Sequence, residues 1–388
     1  MKLEFYNCPS PRELDPSILP KDVGFLSYQP DFKLMEDYAK TYMNFQNILI
    51  IGNGGSINPL IGIYHPLKHQ AKKELYILST QDPDYIYALK QKLKPDDTLV
   101  ISISKSGENI QQIEETMQFV EYPMLMITGR SSPLRALGEK LGCKIIMHPP
   151  IGGRFTGFTE VALLPAALCG LEVKALYEGA EEIYLLYDRD NLAWKTASIF
   201  FQLEQKGFLD VLMFFYAQAL YPANYPMVQL CHESFGKDGK GQSYFAHEGP
   251  EVQHHTTQRF YGGPKNISGM FFTVENFLHP TVNTFPVAAH SVQIKGHPLF
   301  DLDKIPLEKA LEYEWTANIE DARIQGIPLA HFSLTGFQAK EIGRLSALWQ
   351  LFAVYSSMLR DVNPFDQPQV ENSKNISFNK RLQFKGFL

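Results

Sequence analysis

The feature that most constrains the fold is a series of short apolar runs that resemble buried β-strands and are separated by segments long enough for helices. These runs are NILIIG at 47–52, ELYIL at 74–78, TLVISIS at 98–104, MLMITG at 124–129 and KIIMH at 144–148. Buried strands without polar alternation that are joined through helices are typical of a parallel sheet covered on both faces. The first half of the chain is therefore predicted to be a doubly wound α/β domain, a class whose ligands bind beyond the carboxyl ends of the strands.

A second α/β unit is predicted further along the chain. The patterns that indicate it are an apolar helical stretch at 159–187, strands at 211–217 and 291–295, and a largely buried helix at 345–360. A chain of 388 residues is long enough for two domains. We expect a first domain with an N-terminal extension, a second domain, and a polar tail that lies over the first domain, at residues 1–185, 186–365 and 366–388.

Composition limits the location and the partners of the protein. The net charge of −6 gives no global electrostatic reason to bind nucleic acid or an anionic membrane. The four cysteines form no CxxC pair, which favours reduced thiols over a zinc site or a disulfide framework. The first residues carry acids and prolines where a signal peptide has an apolar stretch, and no apolar run reaches the length of a membrane span. We expect a cytoplasmic protein that binds neither nucleic acid nor membrane.

Two glycine-containing segments fall at predicted strand ends and are candidates for binding an anion. Segment 50–58 (IIGNGGSIN) lets backbone N–H groups approach a ligand, because its glycines carry no Cβ. Its spacing is not GxGxxG, which argues against a nicotinamide cofactor, and a plain tight turn explains it equally well. Segment 101–111 (ISISKSGENIQ) brings two hydroxyls and a lysine charge to a helix start, as a phosphate requires. The alternative is a helix capped by Ser106, with Glu108 in its first turn.

Later loops carry groups suited to proton transfer. Segment 150–159 (PIGGRFTGFT) places Arg154 after two glycines, segment 233–241 (ESFGKDGKG) begins with Glu233, and segment 249–255 (GPEVQHH) ends with two histidines. A carboxylate and an imidazole are what proton shuttling near neutral pH requires, although each residue taken alone is more easily explained as a surface group. The histidine pair has no carboxylate at helical metal-ligand spacing, so no metal site is predicted.

Together and in this order, these segments resemble the glucose-6-phosphate isomerase family. That family contains an IGxGGS turn, an SKSG or SKT loop, a GGR loop, an ESxGK segment, a QH pair and an NPFDQPxVExxK signature. In this chain they correspond, in order, to residues 51–56, 104–107, 152–154, 233–237, 253–254 and 363–374. The resemblance covers almost the whole chain and implies an α/β fold with two doubly wound α/β/α sugar-isomerase domains that have parallel sheets.

The resemblance also implies roles for individual residues. Glu233 would be the base that moves a proton between C1 and C2, and Arg154 would stabilise the cis-enediolate. His254 would assist ring opening, and Lys374 would help to polarise the ring or carbonyl oxygen. The reaction needs no cofactor, and the family's histidine comes from the neighbouring subunit, which implies a homodimer that shares His254 across its interface. The implied substrate-binding residues are Gly55, Ser56, Ser104, Lys105, Ser106, Asn109, Gly153, Gln229 and Gln367.

One departure from the family pattern follows the phosphate loop. Most members have a threonine run there, whereas this chain has Glu108, whose charge would repel a phosphate. We expect Glu108 to face outward as an acid in the first helical turn, where the helix dipole favours it. Because of this altered loop, the second hypothesis is an isomerase that also accepts mannose 6-phosphate. A catalytically silent sugar-phosphate sensor is the third hypothesis. Against it stand the retained proton-transfer residues Glu233, His254, Arg154 and Lys374.

Overall fold

The computed structural model describes residues 1–387, which form two compact units. The larger unit contains Pro11–Phe201, Pro222–Gln242 and residues 338–387, and the smaller unit contains Met1–Ser10, Gln202–Tyr221 and Ser243–Phe337. The domain boundaries that we expected at 185 and 365 divide the chain consecutively, whereas these units are built from interleaved segments.

The strands of the described residues, in chain order, are β1 (Lys2–Tyr6), β2 (Asn47–Ile51), β3 (Glu74–Leu78), β4 (Thr98–Ser104), β5 (Met124–Thr128), β6 (Lys144–Met147), β7 (Asp210–Phe215), β8 (Ser243–Glu248), β9 (Ile267–Val274), β10 (Gln293–Ile294), β11 (His297–Pro298) and β12 (Leu329–Leu334). The α-helices are α1 (Phe32–Thr41), α2 (Asn58–Tyr64), α3 (Pro83–Lys92), α4 (Ile110–Met117), α5 (Pro133–Lys140), α6 (Glu160–Leu168), α7 (Val173–Tyr184), α8 (Leu192–Gln205), α9 (Asn224–Phe235), α10 (Thr256–Gly262), α11 (Leu307–Ile324), α12 (Ala339–Leu359) and α13 (Glu371–Phe384). Among residues 1–387, no helix is both long enough and apolar enough to cross a bilayer.

The sheet of the larger unit has the strand order β3-β2-β4-β5-β6, and all of its strands are parallel. The chain leaves β2 for β3 on one side and then returns to β4 on the other side. In a doubly wound sheet this reversal opens a crevice at the carboxyl ends of the two strands, where ligands bind. Every residue of β4 is buried, as the unbroken TLVISIS run predicts. The parallel α/β architecture predicted for this part of the chain is confirmed.

Helices from distant parts of the sequence complete the larger unit. Helix α12 packs against α7, and two glycines permit the close crossing. A Cβ built on Gly179 would lie 2.0 Å from the carbonyl oxygen of Lys340, and one built on Gly343 would lie 2.0 Å from that of Leu176. The terminal helix α13 is held by Arg381, whose guanidinium donates to both carboxylate oxygens of Glu114 on α4.

The sheet of the smaller unit has the order β1-β12-β9-β7-β8. Its inner pairings are parallel, as predicted, but β1 pairs with β12 in the antiparallel direction at the edge. The N-terminal residues therefore supply an edge strand to this sheet. The strand predicted at 291–295 is reduced to β10, which pairs only with β11. Lys295 and Gly296 between them have φ values of +50° and +85°, so the chain reverses there.

Candidate active site

The glycine turn that follows β2 lies at the crevice of the larger sheet. Gly54, Gly55 and Ser56 form a short 3₁₀ helix there, directly before α2. A Cβ built on Gly55 would lie 2.2 Å from the carbonyl carbon of Gly153 and 2.5 Å from the backbone nitrogen of Arg154. Only glycine fits this approach, because the opposing atoms are backbone. The turn thus packs directly on the GGR loop, and two segments that the sequence singled out separately lie in contact.

Helix α9 carries the proposed base. Gln229 and Glu233 are four residues apart and therefore share one helical face. The Gln229 Nε2 donates to Glu233 Oε1 at 3.0 Å, and its Oε1 accepts from Asn58 Nδ2 at 2.8 Å. The Glu233 side chain is 32% exposed, so a ligand can reach its carboxylate. Asn58 was not among the predicted site residues, although it lies two positions after Ser56 in the same segment.

Arg154 is 4% exposed and is therefore not the surface charge that its loop position suggested. Its Nε donates to Ser234 Oγ at 2.9 Å, and its Nη1 donates to Glu233 Oε2 at 3.2 Å and to Gln367 Oε1 at 2.8 Å. Its Nη2 donates to the carbonyl oxygens of residues 364 and 366. Burial lowers the pKa of Arg154, and the nearby carboxylate of Glu233 opposes that shift. All five N–H groups of the guanidinium thus have partners. The two N–H groups of Nη1 donate to Glu233 and Gln367, whose side chains are able to move.

A second buried cation, Lys237, holds the loop that contains Gln367. Its Nζ donates to the carbonyl oxygens of Asn363 at 2.5 Å and Asp366 at 2.7 Å, and to Asp366 Oδ1 at 2.7 Å. The hydrogen bond from Lys237 lowers the pKa of Asp366. Gln229, Glu233 and Lys237 follow one another at intervals of four residues. This repeated spacing is visible in the sequence and could have predicted that Lys237 belongs to the same polar cluster. The loop between α12 and α13 is consequently fixed by two cations.

The predicted phosphate loop follows β4, which is the neighbour of β2 in the sheet. Ser104 is buried and its Oγ accepts from the backbone of Gly107 at 3.1 Å, whereas Lys105 and Ser106 are exposed. Ser106 does not cap a helix, since its Oγ accepts only from the backbone of Glu108, at 3.3 Å. The prediction that Glu108 lies in the first helical turn is wrong, because α4 begins at Ile110 with Asn109 at the N-cap position. The exposed side chain of Glu108 instead lines a cavity.

That cavity has a volume of about 520 Å³ and lies between the phosphate loop and α13. Ser106, Glu108, Asn109 and Lys374 are among its lining residues. Lys374 therefore lies close to the phosphate loop. Its Nζ donates to Glu371 Oε1 at 2.7 Å, within its own helix α13.

The only predicted site residue in the smaller unit is His254, which is exposed at the end of a 3₁₀ turn, Glu251–His254. Within residues 1–387, no cluster of histidine, cysteine and carboxylate side chains is arranged to hold a metal ion.

A polar network that the sequence did not predict connects the glycine turn to α4. Gln111 Nε2 lies 3.1 Å from Asn53 Oδ1 and 2.9 Å from Glu115 Oε1. Glu115 is 1% exposed, and burial raises the pKa of its carboxyl group to about 7. The four-residue spacing of Gln111 and Glu115 was visible in the sequence, but the amphipathic pattern of α4 gave no reason to expect a buried acid.

Over most of its length, the chain is similar in sequence to proteins of known name. No family model matches the sequence. The chain is 27% identical to a glucose-6-phosphate isomerase of Carboxydothermus hydrogenoformans, in an alignment that covers 92% of this chain and 84% of that protein. It is 26% identical to a glucose-6-phosphate isomerase of Campylobacter jejuni, with 85% of this chain and 84% of that protein covered.

Solved structures extend the comparison to the fold. A hypothetical protein of Thermus thermophilus matches with a TM-score of 0.80 and 25% identity, over 90% of this chain and 87% of that chain. A glucose-6-phosphate isomerase of Chlamydia trachomatis matches with a TM-score of 0.76 and 18% identity, over 91% of this chain and 73% of that chain. Over most of its length, the chain is thus a homologue of proteins named glucose-6-phosphate isomerase. It also shares the fold of phosphosugar isomerases.

Proposed function

We propose that this chain is an isomerase that interconverts glucose 6-phosphate and fructose 6-phosphate. The observation that carries the proposal is the carboxylate of Glu233, which Gln229 and Arg154 orient while its side chain stays accessible to a ligand. A general base must be held in a defined position within reach of the proton that it removes. The names of the homologues support the same substrate pair.

In the proposed reaction, Glu233 takes the proton from C2 of the open-chain aldose and returns it to C1, while the hydroxyl proton of O2 passes to O1. A cis-enediolate forms between the two steps, and one carboxylate suffices because it serves both carbons from one face of the sugar. The charge of Arg154 stabilises the developing negative oxygen, because a buried cation acts strongly where water is excluded. Since its five N–H groups are engaged, Nη1 must release Gln367 or Glu233 to bind that oxygen directly. The reaction is redox-neutral and requires no cofactor.

The remaining predicted residues bind the substrate or open its ring in this proposal. Ser104, Lys105, Ser106 and Asn109 hold the phosphate, because they meet at the loop that follows β4. Lys374 polarises the ring or carbonyl oxygen once a ligand draws it away from Glu371, and its position on the cavity of the phosphate loop supports that role. The residues assigned to the sugar hydroxyls are Gly55, Ser56, Gly153, Gln229 and Gln367.

We further infer a cytoplasmic homodimer in which His254 assists ring opening in the site of its partner. Mixing two inactive variants, Glu233→Gln and His254→Asn, tests this arrangement. In hybrid dimers, one site of two combines an intact Glu233 with an intact His254 from the other subunit. Activity should therefore return to about a quarter of the wild-type value after exchange of subunits. If mixing restores no activity, His254 is not shared between subunits.

The direct test of the function is a coupled assay on the purified protein with fructose 6-phosphate, repeated with mannose 6-phosphate. Turnover of fructose 6-phosphate supports the proposal, and additional turnover of mannose 6-phosphate identifies the broader isomerase. Binding of either sugar phosphate without turnover would instead identify a silent sensor.

A further inference from the structure

His148, directly after β6, is a buried histidine with one nitrogen unused. It is 3% exposed, and its Nδ1 lies 2.7 Å from the carbonyl oxygen of Pro149. A carbonyl oxygen only accepts, so the ring proton lies on Nδ1 and leaves Nε2 as an acceptor. Within residues 1–387, this buried Nε2 has no hydrogen-bond partner. Burial and the charge of Lys105 lower the pKa of His148 to about 4, so the ring is neutral near pH 7.

The sheet places His148 in line with the lysine of the phosphate loop. Ser104, Thr128 and Met147 are in register across β4, β5 and β6, and the residues that follow them are Lys105, Gly129 and His148. Beyond the strands, the His148 N–H donates to the Thr128 carbonyl at 2.9 Å, as in a regular ladder. The Gly129 N–H donates at 3.1 Å to the Lys105 carbonyl, one residue beyond Ser104, so Lys105 lies beside Gly129 where the chain leaves β4.

Gly129 is the residue between Lys105 and His148 along this row. The last strand residues, Ser104, Thr128 and Met147, are in register and point to one face, and Gly129, which follows Thr128, has no side chain. A Cβ built on Gly129 would lie 2.6 Å from the Lys105 carbonyl oxygen. Strands spaced by about 4.8 Å put Lys105 and His148 roughly 10 Å apart at their backbones, a distance that the flexible four-carbon stem of lysine can largely cross.

We propose that His148 is a positioning residue for the phosphate site, and that its Nε2 accepts a hydrogen bond from the ammonium group of Lys105. The inference rests on the proposed phosphate loop and adds a residue that none of the recognised motifs contains. A neutral imidazole suits this task better than a carboxylate, because it holds the ammonium without cancelling the charge that attracts phosphate. The other two N–H groups of Lys105 stay available for phosphate oxygens.

A double-mutant cycle with His148→Leu, Lys105→Met and the combined variant tests the proposal, with inorganic phosphate as the probe in calorimetry. His148→Leu should weaken phosphate binding about fivefold to tenfold, since a hydrogen bond to a charged group is lost. The KM for fructose 6-phosphate should rise by a similar factor, and kcat should stay within about twofold. In the Lys105→Met background, His148→Leu should have no further effect. Met147→Leu, which alters the preceding exposed residue, is the matched control and should behave as wild type.

Each outcome separates this inference from the proposed function. Equal phosphate affinity in wild type and His148→Leu refutes the role of His148 and leaves the isomerase proposal intact. An equal loss in both backgrounds refutes it as well, because it shows a general structural effect. Unchanged phosphate affinity in Lys105→Met refutes the phosphate site itself. If the leucine variant does not fold, the ¹⁵N shift of His148 Nε2 decides the question, since it must differ between wild type and Lys105→Met with phosphate bound.

Discussion

Replacing Glu233 with glutamine tests the proposed base while preserving the shape of the side chain. Both partners of the carboxylate are donors, because Gln229 Nε2 lies 3.0 Å from Oε1 and Arg154 Nη1 lies 3.2 Å from Oε2. An amide has a single acceptor oxygen, so its NH₂ group must face one of these donors. The substitution thus removes the base and also introduces one unfavourable polar contact.

The two effects differ in size. Loss of a general base lowers kcat by about 10²–10⁴, equivalent to roughly 3–5 kcal/mol of activation free energy. The mismatched contact should lower the free energy of unfolding by about 1–2 kcal/mol, because the site is partly exposed and the side chain is able to shift. For a protein of this size, that corresponds to a fall in Tm of only a few degrees.

The assay measures fructose 6-phosphate turnover together with incorporation of deuterium from solvent at C2, and a thermal melt follows stability. Glu139→Gln is the matched control, since it breaks a surface pair between Glu139 and Arg135 whose atoms lie 2.9 Å apart. We expect the control to retain wild-type turnover. If Glu233→Gln keeps a kcat within about threefold of wild type, Glu233 is not the base and the mechanism is wrong.

Three further predictions concern the surroundings of the site. Gly55→Ala should lower the free energy of unfolding by at least about 3 kcal/mol and Tm by several degrees, because the new methyl group meets the backbone of residues 153–154. The control Gly24→Ala should melt as wild type, because its methyl group would have no neighbour closer than 3.8 Å. Glu108→Gln should lower the KM for fructose 6-phosphate about twofold to threefold without changing Tm, since the charge of Glu108 lines the cavity at the phosphate loop but is exposed and therefore strongly screened. An unchanged KM would show that Glu108 is too distant from the phosphate to matter. Burial raises the pKa of Glu115 to about 7. Between about pH 4.5 and 7, the folded protein therefore holds a proton that the unfolded chain releases, and the free energy of unfolding falls as pH rises through that window. Glu115→Gln should therefore melt a few degrees higher than wild type at about pH 8 and show little difference at about pH 4.5, and parallel melting curves across this range would contradict the assignment.

Much of the architecture follows from local patterns in the sequence. Apolar runs of strand length predicted each strand of the larger sheet to within one or two residues, and the run is uninterrupted in β4, which is buried throughout. The glycine turn and the phosphate loop were expected at strand ends, and the structure places them after the adjacent strands β2 and β4. The four-residue spacing of Gln229 and Glu233 likewise determines that they share a helical face.

Local patterns do not determine which distant segments meet. The sequence placed Arg154 on a loop, but its burial depends on carbonyl groups more than two hundred residues away, at 364 and 366. It placed Glu108 inside a helix, because Ser106 looked like a cap, whereas the structure begins that helix at Ile110.

The same limit explains the remaining differences. The edge strand β1 pairs with β12, more than three hundred residues later in the chain, and no periodicity in either segment records its partner. The free Nε2 of His148 is defined only by what surrounds it in space. Hydrophobic periodicity indicates whether a residue is buried. The packing of the segments decides which residues become its neighbours, and therefore decides the electrostatics of the site.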